Sequence, residues 1–277
     1  IMETTKKSQI VGIKNAGIVI ICCFIVAVCI FQFLLGNPSN FMNNDPNNHP
    51  LNMLGTIYKG GVIVPVIQTL LLTVLALSIE RFFALRSAFG KGSLAKFVAN
   101  IKEALAAGDL KKAQEICDKQ RGSVANVVTA TLRKYEEMEK NTALPKEQKL
   151  LAIQKELEEA TALEMPMMQQ NLPIIATITT LGTLMGLLGT VIGMIRSFAA
   201  LSAGGGADSM ALSQGISEAL INTAFGILTG ALAVISYNSF TNKIDKLTDS
   251  MKSDSLSCRL LQLLINLANP LKSINHG

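Results

Sequence analysis

MPMMQQNLPIIATITTLGTLMGLLGTVIGMI, residues Met165–Ile195, holds no charged side chain between Glu164 and Arg196. A helix that crosses a bilayer needs about 20 consecutive apolar residues, so this stretch predicts a membrane span, placed at 169–197. Three more stretches have the same character. Asn15–Leu35 lies between Lys14 and an Asn/Pro-rich run, Gly60–Ile79 between Lys59 and Glu80, and Ala219–Asn242 between Glu218 and Lys243. The reading is an all-α integral membrane protein with transmembrane helices at 15–35, 60–80, 169–197 and 215–242. Long helices are expected to extend from them into a helical cytoplasmic domain.

Composition agrees. The chain has 277 residues, 49% hydrophobic but only 16% charged, against about 25% charged in soluble domains. With 11 Phe, 3 Tyr and no Trp, the apolar content is mostly aliphatic. This argues against a soluble globular enzyme. Two His and five Cys make a poor zinc or haem site, so no metal and no cofactor is expected. A net charge of +5, dispersed along the chain, predicts no nucleic-acid partner.

The basic residues set the expected topology. Lys6, Lys7 and Lys14 precede the first span, and only Lys59 lies in the loop 36–59. Fifteen Lys and Arg lie between Arg81 and Lys155, none lies in 198–214, and Lys243, Lys246, Lys252, Arg259 and Lys272 follow the last span. The alternation places residues 1–14, 81–168 and 243–277 in the cytoplasm and the loops 36–59 and 198–214 outside. Cys22, Cys23 and Cys29 fall in the first span, Cys117 and Cys258 on the cytoplasmic side, so no disulfide is expected. The first apolar stretch is longer than a signal-peptide h-region, and Phe33-Leu34-Leu35-Gly36 offers no small-x-small cleavage site, so it reads as a retained helix. Ile1 before Met2 reads as a remnant, with the native start expected at Met2.

Outside the spans, Asn37–Asn52 has seven Asn and three Pro and favours turns over packed structure. Leu51, Leu54 and Tyr58 stand at helical spacing. Leu94, Phe97, Val98, Ile101 and Leu105 repeat at three and four residues. Gly108-Asp109 should end that helix, with Asp109 capping the next. Pro145 suits the first turn of another helix, which should run from Lys146 toward the third span, with bends at Pro166 and Pro173. Lys155–Glu159 reads as its solvated face. After Lys243, Ile244, Leu247, Met251 and Leu256 continue a helical pattern.

The last two spans carry the most information. Gly182/Gly186 and Gly189/Gly193 are small-xxx-small pairs, which let helix backbones approach closely in lipid. Thr179, Thr183, Thr190 and Ser197 recur at four and seven residues, giving one polar, low-bulk stripe. In the fourth span, Thr223, Gly226, Gly230 and Ala233 share a face, and Glu218, Asn222 and Thr229 form an adjacent line. An intramembrane carboxylate is costly, which makes Glu218 a functional candidate. The plainer alternatives stay open: each hydroxyl can bond to its own backbone at i−4, each glycine can serve packing alone, and Glu218 can pair with Arg196 across the outer loop.

Gly186-Leu187-Leu188-Gly189-Thr190-Val191-Ile192-Gly193-Met194, Gly215-Ile216-Ser217-Glu218-Ala219-Leu220, Asn222-Thr223-Ala224-Phe225-Gly226 and Tyr237-Asn238-x-Phe240 together resemble the MotA/TolQ/ExbB proton-channel family, and within it the ExbB/TolQ branch. The motifs span roughly 172–245, and the helix layout matches over 60–277. The resemblance implies a homopentamer in the bacterial inner membrane around a central pore. That pore would hold a dimer of a single-span ExbD- or TolR-like partner, and work would pass to a TonB- or TolA-like protein. The family's two pore-lining threonines correspond to Thr190 and Thr223 and its helix-start glutamate to Glu218; the titrating aspartate belongs to the partner. A Thr hydroxyl does not titrate near neutral pH, but it donates and accepts, and so can hold water beside a carboxylate. Three features depart from the family pattern: Thr183 replaces a usual Pro, Arg196 stands where the relatives carry an uncharged or weakly basic residue, and a first helix is added.

The resulting expectation is a proton path lined by Thr183, Thr190, Glu218, Asn222 and Thr223, with Gly182, Gly186, Gly189, Gly193, Gly226 and Gly230 packing the helices. The chain is expected to be a channel subunit rather than an enzyme, energising TonB-dependent outer-membrane transport. The rivals are a TolQ-like envelope-maintenance motor, a MotA-like flagellar or gliding stator, and a non-conducting scaffold. An intramembrane hydrolase is disfavoured, because neither His49 nor His276 nor any Asp lies in a span.

Overall fold

A computed structural model describes residues 15–46, 48–141, 143–203 and 209–252. The expected cytoplasmic N-terminus, the tip of the second outer loop and the tail with Leu256 and Cys258 lie outside these residues. Within them the protein is α-helical and forms no strand; an isolated bridge joins Phe41 to Pro50. Four helical stretches are long and apolar enough to cross a membrane: Ala16–Leu35, Ile63–Ala106, Lys146–Ala199 and Leu212–Met251. They cover residues 16–35 and 63–79 of the first two charge-free stretches and the whole of the last two.

The chain divides into two compact units. One comprises residues 15–81 and 171–239. It holds α1 (Ala16–Cys29), α2 (Met53–Lys59), most of α3 (Ile63–Phe89), and the larger parts of the two long helices that follow later in the chain. Its core joins Val74 and Leu77 to Ile175, Ile178 and Ala233, with Val19 and Tyr237 packed against them. Ile21, Phe24 and Ile25 on α1, with Leu187, Ile195, Ile227 and Ile235, stand exposed. So much bare aliphatic surface suits hydrocarbon rather than water.

The end of α1 differs from expectation. The helix widens over Ile30–Leu35, where Gly36 N donates to Phe31 O at 2.9 Å. The loop after it is packed rather than a bare run of turns. Asn40 is buried, and its Nδ2 donates to Leu34 O and Leu35 O at 2.8 and 3.0 Å. Asn52 Nδ2 donates to Asn40 Oδ1 at 2.9 Å, while Asn52 Oδ1 caps α2 by accepting from Gly55 N. An Asn side chain has both donors and an acceptor, so Asn40 satisfies carbonyls freed at the helix end. Tyr58 of α2 stacks on Phe31 at 4.7 Å and meets Phe41 edge-on at 5.6 Å.

The other unit comprises residues 82–170 and 240–252. It contains α4 (Leu94–Ala106), α5 (Leu110–Gln120), α6 (Ser123–Lys140) and α7 (Lys146–Gln169). Gly108 turns the chain at φ +70, and Asp109 accepts from Lys112 N at 2.9 Å, capping α5 as its position implies. Gln120 ties three backbone groups together: its Nε2 donates to Phe89 O at 2.6 Å, its Oε1 accepts from Gly122 N, and its backbone O accepts from Lys91 N. Gly90, at φ +70, lies directly against it, where any side chain would collide. Tyr135, Met138 and Ile153 form a core between α6 and α7.

Pro145 precedes α7 as its capping residue rather than occupying the first turn. The helix toward the third span is interrupted between Pro166 and Pro173. It stops at Gln169, and Asn171 takes a left-handed conformation at φ +65 before α8 (Leu172–Ala203) begins. Pro166 sits inside α7, and Pro173 falls in the first turn of α8, where its missing N–H costs nothing. Asn is one of the few residues that visit this region without a large penalty. The last element, α9, runs from Ser209 to Lys252.

Candidate functional site

α8 and α9 meet through their glycines. A Cβ on Gly226 would stand 2.6 Å from both Gly182 O and Gly186 Cα, and one on Gly186 would stand 3.0 Å from Gly226 Cα. A Cβ on Gly182 would stand 3.0 Å from Gly230 N, Gly230 lies against Thr179 O and Thr183 Oγ1, and Gly193 lies against Ala219 and Gly215. Gly189 receives the Asn222 side chain. These spacings leave no room for any side chain along the seam, so backbone meets backbone.

The hydroxyls on the two helices bond mostly within their own helix. Thr190 Oγ1 donates to Leu187 O at 2.6 Å, Thr183 Oγ1 to Thr179 O at 3.5 Å, Ser197 Oγ to Gly193 O at 2.9 Å and Thr229 Oγ1 to Phe225 O at 2.8 Å. Thr223 is different. Its Oγ1 lies 3.3 Å from Ala219 O on its own helix and 3.3 Å from Gly186 O on α8, so its proton is shared across the seam. Each hydroxyl oxygen keeps its acceptor capacity.

The expected site residues therefore separate by position. Thr190 borders an open groove of about 520 Å³ with Val191, Met194, Ile195 and Phe198. Thr223 is half-buried in the seam. Asn222 lies on the closed side: it is buried, and its Nδ2 donates to Gly60 O at 2.9 Å. Its Oδ1 is buried without a hydrogen-bond partner. Thr183 lies against Gly230.

Glu218 stands one turn before Asn222 on α9 and is half-buried. The Gln214 side chain hydrogen-bonds to its carboxylate, and the charges of Arg196 and Lys59 act on it. Arg196 reaches over Gly61, whose added Cβ would stand 3.0 Å from Nη1. Gly61 has φ +71 and follows directly on α2 and Gly60. The charge of Arg196 reaches Glu218, whose pairing with it the sequence left open. Lys59 was missed as a charge acting on Glu218. The signal available was its position, the lone basic residue of its loop, immediately before the Gly60-Gly61 pair.

The sequence pattern described as the MotA/TolQ/ExbB proton channel family matches residues 121–253. Biopolymer transport protein ExbB-like 1 of Synechocystis sp. is 33% identical over 193 residues, covering 67% of this chain and 69% of the relative. The chain belongs to the MotA/TolQ/ExbB family. ExbB-like 3 of the same organism is 37% identical over 86 residues, 30% of this chain and 41% of that protein. The Tol-Pal system protein TolQ of Haemophilus influenzae is 34% identical over 82 residues, 30% of this chain and 36% of that protein. These two matches span less than half of the relatives' lengths. The matched region of the family contains α8, α9 and the whole glycine seam. Together with the four apolar stretches, membership makes this a multi-pass membrane protein.

Proposed function

We propose that the chain is the proton-channel subunit of an inner-membrane energy-transducing complex. In this reading five copies surround a pore that holds a dimer of an ExbD/TolR-like single-span protein. The partner's aspartate titrates, Thr190 and Thr223 hold water beside it, and the resulting motion passes to a TonB- or TolA-like protein for TonB-dependent transport. Both termini lie in the cytoplasm. The named relatives include biopolymer transport proteins and a Tol-Pal protein, which supports this class and also sustains the TolQ-like alternative.

The observation that carries the reading is the division of α8 into two faces. Its glycine face is used up against α9, while Thr190 stands beside an open groove of otherwise apolar residues. A lone hydroxyl on such a wall can order water without binding it strongly.

The test is acid-driven proton flux in liposomes holding the chain and a single-span, Asp-bearing partner. Flux should require the partner and fall roughly tenfold or more in the Thr190→Val, Thr223→Val double variant, the effect of removing water-ordering hydrogen bonds in a confined path. Equal flux in variant and wild type would favour the scaffold reading. That rival rests on a specific observation: the Thr190 proton is already donated to its own helix.

A further inference from the structure

The loop after α1 and helix α2 form one cap on the widened end of α1. Asn40 Nδ2 holds Leu34 O and Leu35 O, and Asn40 O accepts from Leu51 N at 2.8 Å. Met42 N donates to His49 O at 2.9 Å, so Met42 and Leu51 stand on neighbouring stretches of backbone close to the end of α1. Inside the cap, Phe41 is buried against Tyr58 and Gly55. Its outer side is apolar and bare. Leu51 is 62% and Met53 74% exposed, and Met42 and Leu54 are exposed with them. Phe33 and Leu34 at the end of α1 are exposed too. The hydrocarbon-facing surface of the first span therefore continues onto the cap.

Two chemistries meet in this segment. Residues 37–52 carry seven Asn, whose amides are costly to strip of hydrogen bonds in hydrocarbon. Leu and Met side chains are costly to leave in water. The layer that satisfies both is the boundary of headgroups and acyl chains, where an amphipathic segment buries its apolar side about 5–10 Å deep. Tyr58, with an apolar ring and a polar tip, suits that layer. Residues 37–62 hold only Asp45 and Lys59 as charged groups, which gives a protein partner little charge to match. We infer that the cap is seated in the lipid interface at this end of the spans, with Leu51, Met53 and Leu54 inserted among the outermost parts of the acyl chains. The seat reaches beyond the cap itself. Gly60, the residue that ends α2, accepts from Asn222 Nδ2 at 2.9 Å, so the anchored segment is tied to α9. This inference goes beyond the channel reading and does not depend on proton conduction.

The protein has no Trp, so a single added one reports its own surroundings. Met53→Trp and, separately, Leu51→Trp are made in the full chain and reconstituted in vesicles of phosphatidylcholine and phosphatidylglycerol. Bromine atoms are carried on the acyl chains either near the headgroup or near the methyl end. Ile25→Trp, on the exposed side of α1 about halfway along the span, and Leu151→Trp, exposed on α7, serve as references. Shallow bromines should quench the cap Trp about twofold or more, because side chains buried about 5–10 Å lie level with them. Deep bromines should quench it less. Ile25→Trp should show the reverse order, and Leu151→Trp should respond to neither. Both cap positions are exposed, so the larger side chain has space, and circular dichroism should stay native; should one variant misfold, the other decides. Cap Trp emission untouched by bromine but quenched by aqueous iodide would place the cap in water and overturn the inference. Emission shielded from both would mean that a second copy or another protein covers it, which overturns the inference equally. Stronger quenching by the deep bromines would do the same.

Discussion

Gly226 shows how much rests on one missing methyl group. Its added Cβ would stand 2.6 Å from two backbone atoms of α8, and neither can swing aside as a side chain could. Gly226→Ala should destabilise the folded chain in detergent by about 1–3 kcal/mol, the range for overpacking a closed seam. Gly17, near the start of α1, has no atom within 4 Å of its would-be Cβ. Gly17→Ala should stay within about 0.5 kcal/mol of wild type, and thermal melts of the two variants would show the difference. A second prediction concerns two buried acids of the α4–α7 unit. Burial pushes the Cys117 thiol from 9.0 up to about 12, and burial with the nearby Glu139 charge pushes Tyr135 from 10.0 up to about 12. Their folded-state values are raised, so the unfolded chain gives up these protons first as pH rises. The stability they contribute is complete below about pH 9 and declines toward about pH 12. Alkaline titration followed by tyrosinate absorbance and circular dichroism should show unfolding in that window, and Cys117 should resist alkylation until it occurs.

The helices owe their ends to different causes, and only some of these are local. Asp109 capping α5 is a short-range event, a carboxylate three residues from the N–H it accepts. Asp109→Ala should cost about 1 kcal/mol, read as a lower melting point with the membrane core intact. The break between α7 and α8 is not local in the same sense. Pro166 and Pro173 are stronger breakers by propensity, yet the chain turns at Asn171, whose Nδ2 also faces Glu80 Oε2 at 3.5 Å. Asn171→Gly should be tolerated, whereas Asn171→Val should cost roughly 1–2 kcal/mol, because a β-branched residue is strained at positive φ. Equal melting of the two variants would show that the turn is not held at φ +65. Asn40 teaches the same lesson for the loop. Its composition marks turns, but its burial follows from the carbonyls left open where α1 widens.

Across the whole chain, the proposed topology makes a test that needs no channel activity. Cysteine placed at Asn43, in the Asn-rich loop, should react with a membrane-impermeant maleimide from outside intact cells. Cysteine at Asn141, between α6 and α7, should react only after the cells are opened. The reverse pattern, or labelling of both from one side, would overturn the orientation drawn from the Lys and Arg distribution.

Charge-free length settled the all-α class and the four helices apolar enough to span a membrane, because the cost of a charge in hydrocarbon acts through residue identity alone, and the motifs of the last two spans carried the family resemblance. The same resemblance pointed to Thr190, Thr223 and Glu218. Folding decided the rest. Asn222 turned inward to Gly60, Thr223 shared its proton with Gly186, and Arg196 came to lie over Gly61 from far along the chain. Such meetings depend on which helices pack and in what register, and a side chain's charge or hydrogen-bonding capacity does not name the distant partner that will satisfy it.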